Sequence, residues 1–220
     1  MASFFNLTLD TTAPAGLTLK LNNGAAYATS TAVTATIGLT DSVTTGYQMK
    51  IWGVAGAATE AEAAWTTFAK SKAITLASGD GQKTVSIKVR DDVGNETATV
   101  TAKITLDTAV PVVTITGPDK SKISKVATFN VSAFSFSANA DFEEYKIKVV
   151  PSESSLENAG TQIPVTAGST NTSGTKGGYK ADTAINVTIN GADLETASAG
   201  DGVKIVKVFV KNAAGTWSVA

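Results

Sequence analysis

Along most of the chain, apolar side chains recur at every second position, the period of a strand with one buried face. Leu17, Leu19 and Leu21 form one such run, and Val33, Ala35, Ile37 and Leu39 another. Tyr47, Met49 and Ile51 follow, then Val85, Ile87 and Val89, then Val100, Ala102, Ile104 and Leu106. Between the runs stand Asn22-Asn23-Gly24, Gly79-Asp80-Gly81 and Val93-Gly94-Asn95, residues that tolerate the positive φ of tight turns. Short alternating strands separated by turn chemistry predict an all-β sandwich architecture. One stretch departs from the pattern. Thr59-Glu60-Ala61-Glu62 fits a capping box, and Ala63, Ala64, Trp65 and Phe68 follow at helical spacing, predicting a short helix at the sandwich edge. Trp65 and Phe68 would plug the core there, or form a ligand platform.

The alternation repeats as a unit. Leu9-Asp10-Thr11-Thr12-Ala13-Pro14 recurs as Leu106-Asp107-Thr108-Ala109-Val110-Pro111, an offset of 106 − 9 = 97. Tyr47-Gln48-Met49-Lys50-Ile51 recurs as Tyr145-Lys146-Ile147-Lys148-Val149, an offset of 145 − 47 = 98. Gly79-Asp80-Gly81 recurs as Gly200-Asp201-Gly202, an offset of 200 − 79 = 121, and at that spacing Val85, Ile87, Val89 and Gly94 match Val206, Val208, Val210 and Gly215. Three blocks in the same order imply two tandem β-sandwich domains, residues 10–106 and 107–220, behind an N-terminal strand or arm at 1–9. The second copy carries an insertion near 152–178, rich in Ser, Gly, Asn and Thr, which reads as an extended surface loop.

The two copies differ at their last strand. After Val93-Gly94-Asn95, the first has room for a full strand ending at Leu106; after Thr216, the second has Trp217, Ser218, Val219 and Ala220. Asn6-Leu7-Thr8-Leu9-Asp10-Thr11 aligns with Lys103-Ile104-Thr105-Leu106-Asp107-Thr108, the end of the first copy's last strand. Phe4, Phe5, Leu7 and Leu9 thus form a candidate assembly strand, and Val206, Val208, Val210 and Trp217 a candidate acceptor edge on another subunit. The alternative is that Phe4 to Leu9 packs on domain one as an extra edge strand.

Composition narrows the chemistry. Hydrophobic residues make up 43% and charged residues 17% of the 220, and the formal net charge is −1. That balance gives no electrostatic case for nucleic acid. With no Cys and no His, disulfides, thiol or His-based catalysis and the usual zinc, iron and copper sites are not expected. Asp91 and Asp92, like Glu143 and Glu144, are adjacent on strands and point to opposite faces, so neither pair suits acid–base work. Asp10, Asp107, Asp91 and Asn95 could converge on calcium, but turn capping accounts for them more simply. The expectation is no enzyme, no catalytic residue, no cofactor and no metal. No apolar run is long enough to span a bilayer, so no membrane insertion is expected. The opening Met1-Ala2-Ser3-Phe4-Phe5-Asn6 lacks the pattern of a signal peptide, and synthesis in the cytoplasm is expected.

Leu9-Asp10-Thr11-Thr12-Ala13-Pro14 and Val89-Arg90-Asp91-Asp92-Val93-Gly94-Asn95 resemble the opening and the closing hairpin of bacterial Ig-like (Big-type) domains. Such domains occur in tandem arrays of surface adhesins and in structural proteins of tailed bacteriophages. The resemblance covers domain one well; in domain two Asn212-Ala213-Ala214-Gly215-Thr216 is a looser version of the closing turn. It implies that the all-β chain is two tandem immunoglobulin-like β-sandwich domains and a virion structural protein, decorating or reinforcing a capsid or tail, with other copies of itself and other virion proteins as partners. The competing expectation is a module that engages cell-surface glycans, for which Trp52, Trp65, Tyr179 and Trp217 are the available aromatics.

Overall fold

A computed structural model describes residues 5–125, 130–166, 168–172 and 176–219. The chain divides into two compact units, 1–108 and 109–220. Among the described residues, no helix is long and apolar enough to cross a membrane.

The first unit contains β1 (Thr18–Leu21), β2 (Tyr27–Ala28), β3 (Ala32–Gly38), β4 (Gln48–Trp52), β5 (Thr66–Thr67), β6 (Ser71–Thr75), β7 (Gly81–Arg90) and β8 (Val100–Leu106). They form two sheets, in the orders β1-β3-β6 and β2-β8-β7-β4-β5. The alternation decides what lies between them. Leu19, Leu21, Val33, Ala35 and Ile37 project from one sheet, and Met49, Val85, Ile87, Val89, Ile104 and Leu106 from the other; all are buried in one core. β8 closes this sandwich by pairing antiparallel with β7 from Ile87↔Val100 to Gly81↔Leu106.

The second unit contains β9 (Val113–Thr116), β10 (Val131–Ala138), β11 (Glu144–Val150), β12 (Thr161–Gln162), β13 (Ile185–Asn190), α1 (Gly191–Ala197) and β14 (Ile205–Lys211). Its sheets run β13-β10-β9 and β12-β11-β14. The core here is more aromatic. Phe136 meets Tyr145 edge-on with ring centroids 5.1 Å apart, and Phe142 stacks on Tyr179 at 4.8 Å, with Ile147, Val187, Val208 and Val210 buried around them.

Two sequence expectations need correction. The short helix expected in the first domain is a single turn. Its capping-box bond forms, Thr59 N donating to Glu62 Oε2 at 2.9 Å, but the backbone closes only Glu62 N→Thr59 O and Ala63 N→Glu60 O. Thr66 and Thr67 then pair with β4, and sheet pairing overrides local propensity. The helix lies in the second unit, as α1, where Asn190 Oδ1 caps it by accepting from Asp193 N at 2.7 Å.

The insertion near 152–178 is likewise not simply a surface loop. It begins on the outer face of the β11–β14 sheet, where the Lys148 ammonium donates to Glu157 O at 2.8 Å and that of Lys207 to Ser155 O at 2.8 Å. It then pairs with the edge of β11 as β12 and drops Ile163 into the core, fully buried. Farther on, Thr166 donates to the buried Asp193 from its hydroxyl and its backbone N–H, and Thr170 bridges Thr188 on β13. Gly160 permits the approach to β11. Its φ is +67°, and a Cβ there would meet the Val149 carbonyl oxygen at 2.1 Å, so only glycine fits.

Candidate functional site

Both units carry the same clasp. In the first, Asp91 N donates to Asn95 O at 3.2 Å and Thr97 N to Val89 O at 2.8 Å. Asn95 N returns a bond to Asp91 Oδ1 at 2.8 Å, and Val89 N one to Thr97 Oγ1 at 3.1 Å. In the second, Asn212 N donates to Thr216 O at 3.0 Å and Ser218 N to Val210 O at 2.8 Å. Thr216 N returns to Asn212 Oδ1 at 2.8 Å, and Val210 N to Ser218 Oγ at 3.1 Å. Every one of these positions is shifted by the repeat offset, 212 − 91 = 121, so the looser sequence at 212–216 makes the same turn. One chemical difference separates the clasps, a carboxylate in the first and an amide in the second. Burial pushes the Asp91 carboxyl up, but hydrogen bonds from Asn95 and the backbone of Val93 and Gly94 outweigh it and hold it below the ordinary carboxylate range.

Beyond the clasp the units diverge. In the first, β8 lies along β7 and seals the core. In the second, β14 pairs with β11 and forms the end of its sheet. Among the described residues no strand lies along its other edge. The consequences appear in exposure. Val85 is fully buried, whereas its counterpart Val206 is only partly buried. Leu19 and Leu21 on β1 are 8% and 2% exposed, but Ile115 on β9 is 44% exposed. Between β9 and β14 runs a groove of about 710 Å³, lined by Ile115, Phe134, Ile189, Leu194 and Val206, with Lys204 and Asp201 also on its wall. Such an edge presents unpaired backbone groups beside an uncovered apolar surface.

At the mouth of the same groove stands Asp201. Its counterpart Asp80 accepts hydrogen bonds from Thr108 N at 3.0 Å and Thr108 Oγ1 at 2.9 Å, which pin the end of β8. Asp201 accepts no hydrogen bond among the described residues.

The candidate strand at the N-terminus is described from Phe5 onward; Phe4 lies outside the described residues. Phe5, Leu7 and Leu9 belong to no strand and are 85%, 86% and 86% exposed. The extra edge strand on domain one is therefore not formed. The segment is tied at its base, where Asn95 Nδ2 donates to Asp10 O at 3.3 Å and Thr12 N to Asp10 Oδ1 at 2.9 Å.

The candidate acceptor residues fall in three places. Val206 lines the groove. Val208 and Val210 are buried in the core and the Val210 backbone is held by Ser218 in the clasp, so of these two only Val208 offers the edge its backbone. Trp217 lies elsewhere, its ring 4.3 Å from the Lys146 ammonium and 5.0 Å from that of Lys211. The lining contributed by Ile115, Phe134, Ile189 and Leu194 was missed by sequence reasoning. These residues come from three separate strands and a helix, and an exposed Ile at 115 looks in sequence like any buried strand residue.

The other candidates resolve into local roles. Trp65 holds the Arg90 guanidinium at 4.4 Å and the Lys50 ammonium at 5.2 Å, Tyr179 stacks on Phe142, and Trp52 is half-buried on β4. The four aromatics thus have separate tasks within their own units. Lys211 pairs with Glu144 and pulls its carboxyl below the ordinary range. Asp91 caps its turn, and no group of three acidic side chains converges as a metal site among the described residues.

No family model matches the sequence, and no curated protein does. Among solved structures, fibronectin(III)-like modules of CbhA from Clostridium thermocellum are similar at 9% identity and a TM-score of 0.46, over 92% of this chain and 90% of theirs. Chitinase ChiA74 from Bacillus thuringiensis is similar at 14% identity and a TM-score of 0.31, over 92% of this chain and 30% of that one. Dimeric latent PorU from Porphyromonas gingivalis follows at 13% and 0.29, over 97% and 20%. The chain spans under a third of the latter two. Each unit of this protein is a β-sandwich of two sheets.

Proposed function

We propose that this protein is a non-enzymatic structural subunit that works by assembly, a virion component of a tailed bacteriophage that decorates or reinforces the capsid or tail. The observation that carries the reading is the uncovered edge of β14 with its apolar groove, a surface built to receive another strand. The likeness of Leu9-Asp10-Thr11-Thr12-Ala13-Pro14 and of the Val89–Asn95 hairpin to Big-type domains supplies the phage setting. Its partners are other copies of itself and other virion proteins, and no cofactor enters. A glycan-binding module would need its aromatics free on one face. Here Trp65 and Trp217 are covered by cations and Tyr179 is packed on the core, which favours assembly. Micrographs of particles with and without the protein test the reading. A regular array over the capsid or along the tail is expected; a few copies confined to the tail tip would favour host recognition instead.

A further inference from the structure

We infer that the groove beside β14 is filled by residues 5–9 of a second copy, which complete the sandwich of domain two in the register that β8 takes in domain one. This rests on the assembly reading and gives it a named partner segment and a pairing.

The argument is one of superposition. The two clasps match bond for bond at an offset of 121, which maps β7 onto β14. The N-terminal segment maps onto β8 at an offset of 97, with Phe5, Leu7 and Leu9 at the positions of Ala102, Ile104 and Leu106. Domain one pairs Ala102 with Val85, Ile104 with Lys83 and Leu106 with Gly81. Carried across, Phe5 faces Val206, Leu7 faces Lys204 and Leu9 faces Gly202, and all three acceptor residues line the groove. The two maps were fixed by different residues, and both lead to the groove, whose wall includes Asp201 to Lys204 and Val206.

Two further details fit. At the far end, Thr11 maps onto Thr108, and would bring its N–H and hydroxyl to Asp201 as Thr108 brings them to Asp80; Asp201 has that capacity free. Between the inward residues, Thr8 maps onto Thr105, which pairs with Gln82, so Thr8 would stand opposite Val203 on the outward face. Val203 is 97% exposed. The donor brings three apolar side chains that water now surrounds, and the acceptor brings the apolar surface and backbone groups they match. Donor and acceptor are different segments of one chain, so the contact is heterologous and each copy offers one of each.

The chain has no cysteine, which makes the register testable on the purified full chain. One preparation carries Thr8→Cys and another Val203→Cys; they are mixed and oxidised. A disulfide-linked heterodimer is expected, at least tenfold above an off-register mixture of Thr8→Cys with Ile205→Cys. Sedimentation should show average mass rising with concentration. Leu7→Asp with Leu9→Asp should abolish that rise, while an unchanged circular-dichroism melt of the dilute chain shows that both domains still fold. The inference is overturned by cross-linking no better than the off-register mixture, or by assembly that survives the Asp substitutions. It is equally overturned by a Thr8→Cys/Val203→Cys double variant that closes only within one chain. A chain that fails these tests yet arrays regularly on particles would leave the virion reading standing and remove only the strand exchange.

Discussion

The two domains share a plan, a core alternation, a closing clasp and a two-residue strand on one sheet edge, yet they treat the opposite edge differently. Domain one buries the edge of β7 under β8 and seats Ile104 and Leu106 in the core. Domain two wraps its inserted segment around the edge of β11 and leaves the edge of β14 beside an apolar groove. An uncovered edge costs a sandwich little when the core behind it is anchored elsewhere, and here Phe136, Phe142, Tyr145 and Ile163 supply that anchor. The comparison teaches that sealing strand and folding core are separable in this architecture.

The largest test of that separation sets Ile104 against Leu7, its counterpart in the repeat. Ile104→Ala should destabilise domain one by about 2–5 kcal/mol in urea unfolding, the range for a large-to-small change in a packed core. Leu7→Ala in the dilute chain should change it by less than about 0.5 kcal/mol, as at an exposed position. Equal effects would mean that residues 5–9 already pack within their own chain.

Next comes the wrap around β11. Gly160→Ala should cost domain two roughly 1–3 kcal/mol, the scale of local backbone strain, and should speed proteolysis between residues 152 and 166. Domain one should melt unchanged. Loss of the Asn190 cap follows, since Asn190→Ala should remove roughly 1–2 kcal/mol from domain two. Glu62→Ala, at the exposed turn of domain one, should leave its melt unaltered. That pair sharpens the contrast between a capped helix and a capping box that closes one turn.

The smallest effect concerns the clasps. The Asp91 carboxyl lies below its ordinary value when folded. The stability it contributes is complete above the unfolded value and is lost as pH falls through the folded one. Asn212 holds the same place in domain two and does not titrate. Asp91→Asn keeps the acceptor for Asn95 N and should flatten the acid limb of domain one's melting curve. An unchanged acid limb would assign the acid sensitivity to other carboxylates.

Much of this arrangement was legible in the alternation. Val33, Ala35, Ile37, Val85, Ile87 and Val89 all face the core as their period requires, and the repeat offset of 121 places Gly215 on Gly94 in the closing turn. What escaped was set by contacts distant in sequence. Ile163 and Val165 alternate in an otherwise polar stretch, yet Ile163 is fully buried and Val165 half exposed, so nothing local reveals which of them enters the core. The helix was placed at Thr59 because a capping box is a strong local signal. The helix that forms starts with Gly191, a weak helix former, and is held by Asn190 and by Thr166 from the insertion. The groove was legible as a missing strand, but its walls came from β9, β10, β13 and α1 and needed the folded chain to assemble.

The wrap around β11 has a last consequence, which concerns valence. With that edge taken by the two-residue β12, β14 is the longer open edge of the sheet among the described residues, and residues 5–9 are the segment that matches it. A monomer with one donor and one acceptor cannot branch, and where it does not close into a ring it grows as a linear polymer. Its length is then governed by concentration and by whatever caps an end, as in step-growth chemistry. Substoichiometric amounts of a chain with a blocked acceptor would shorten every filament in proportion.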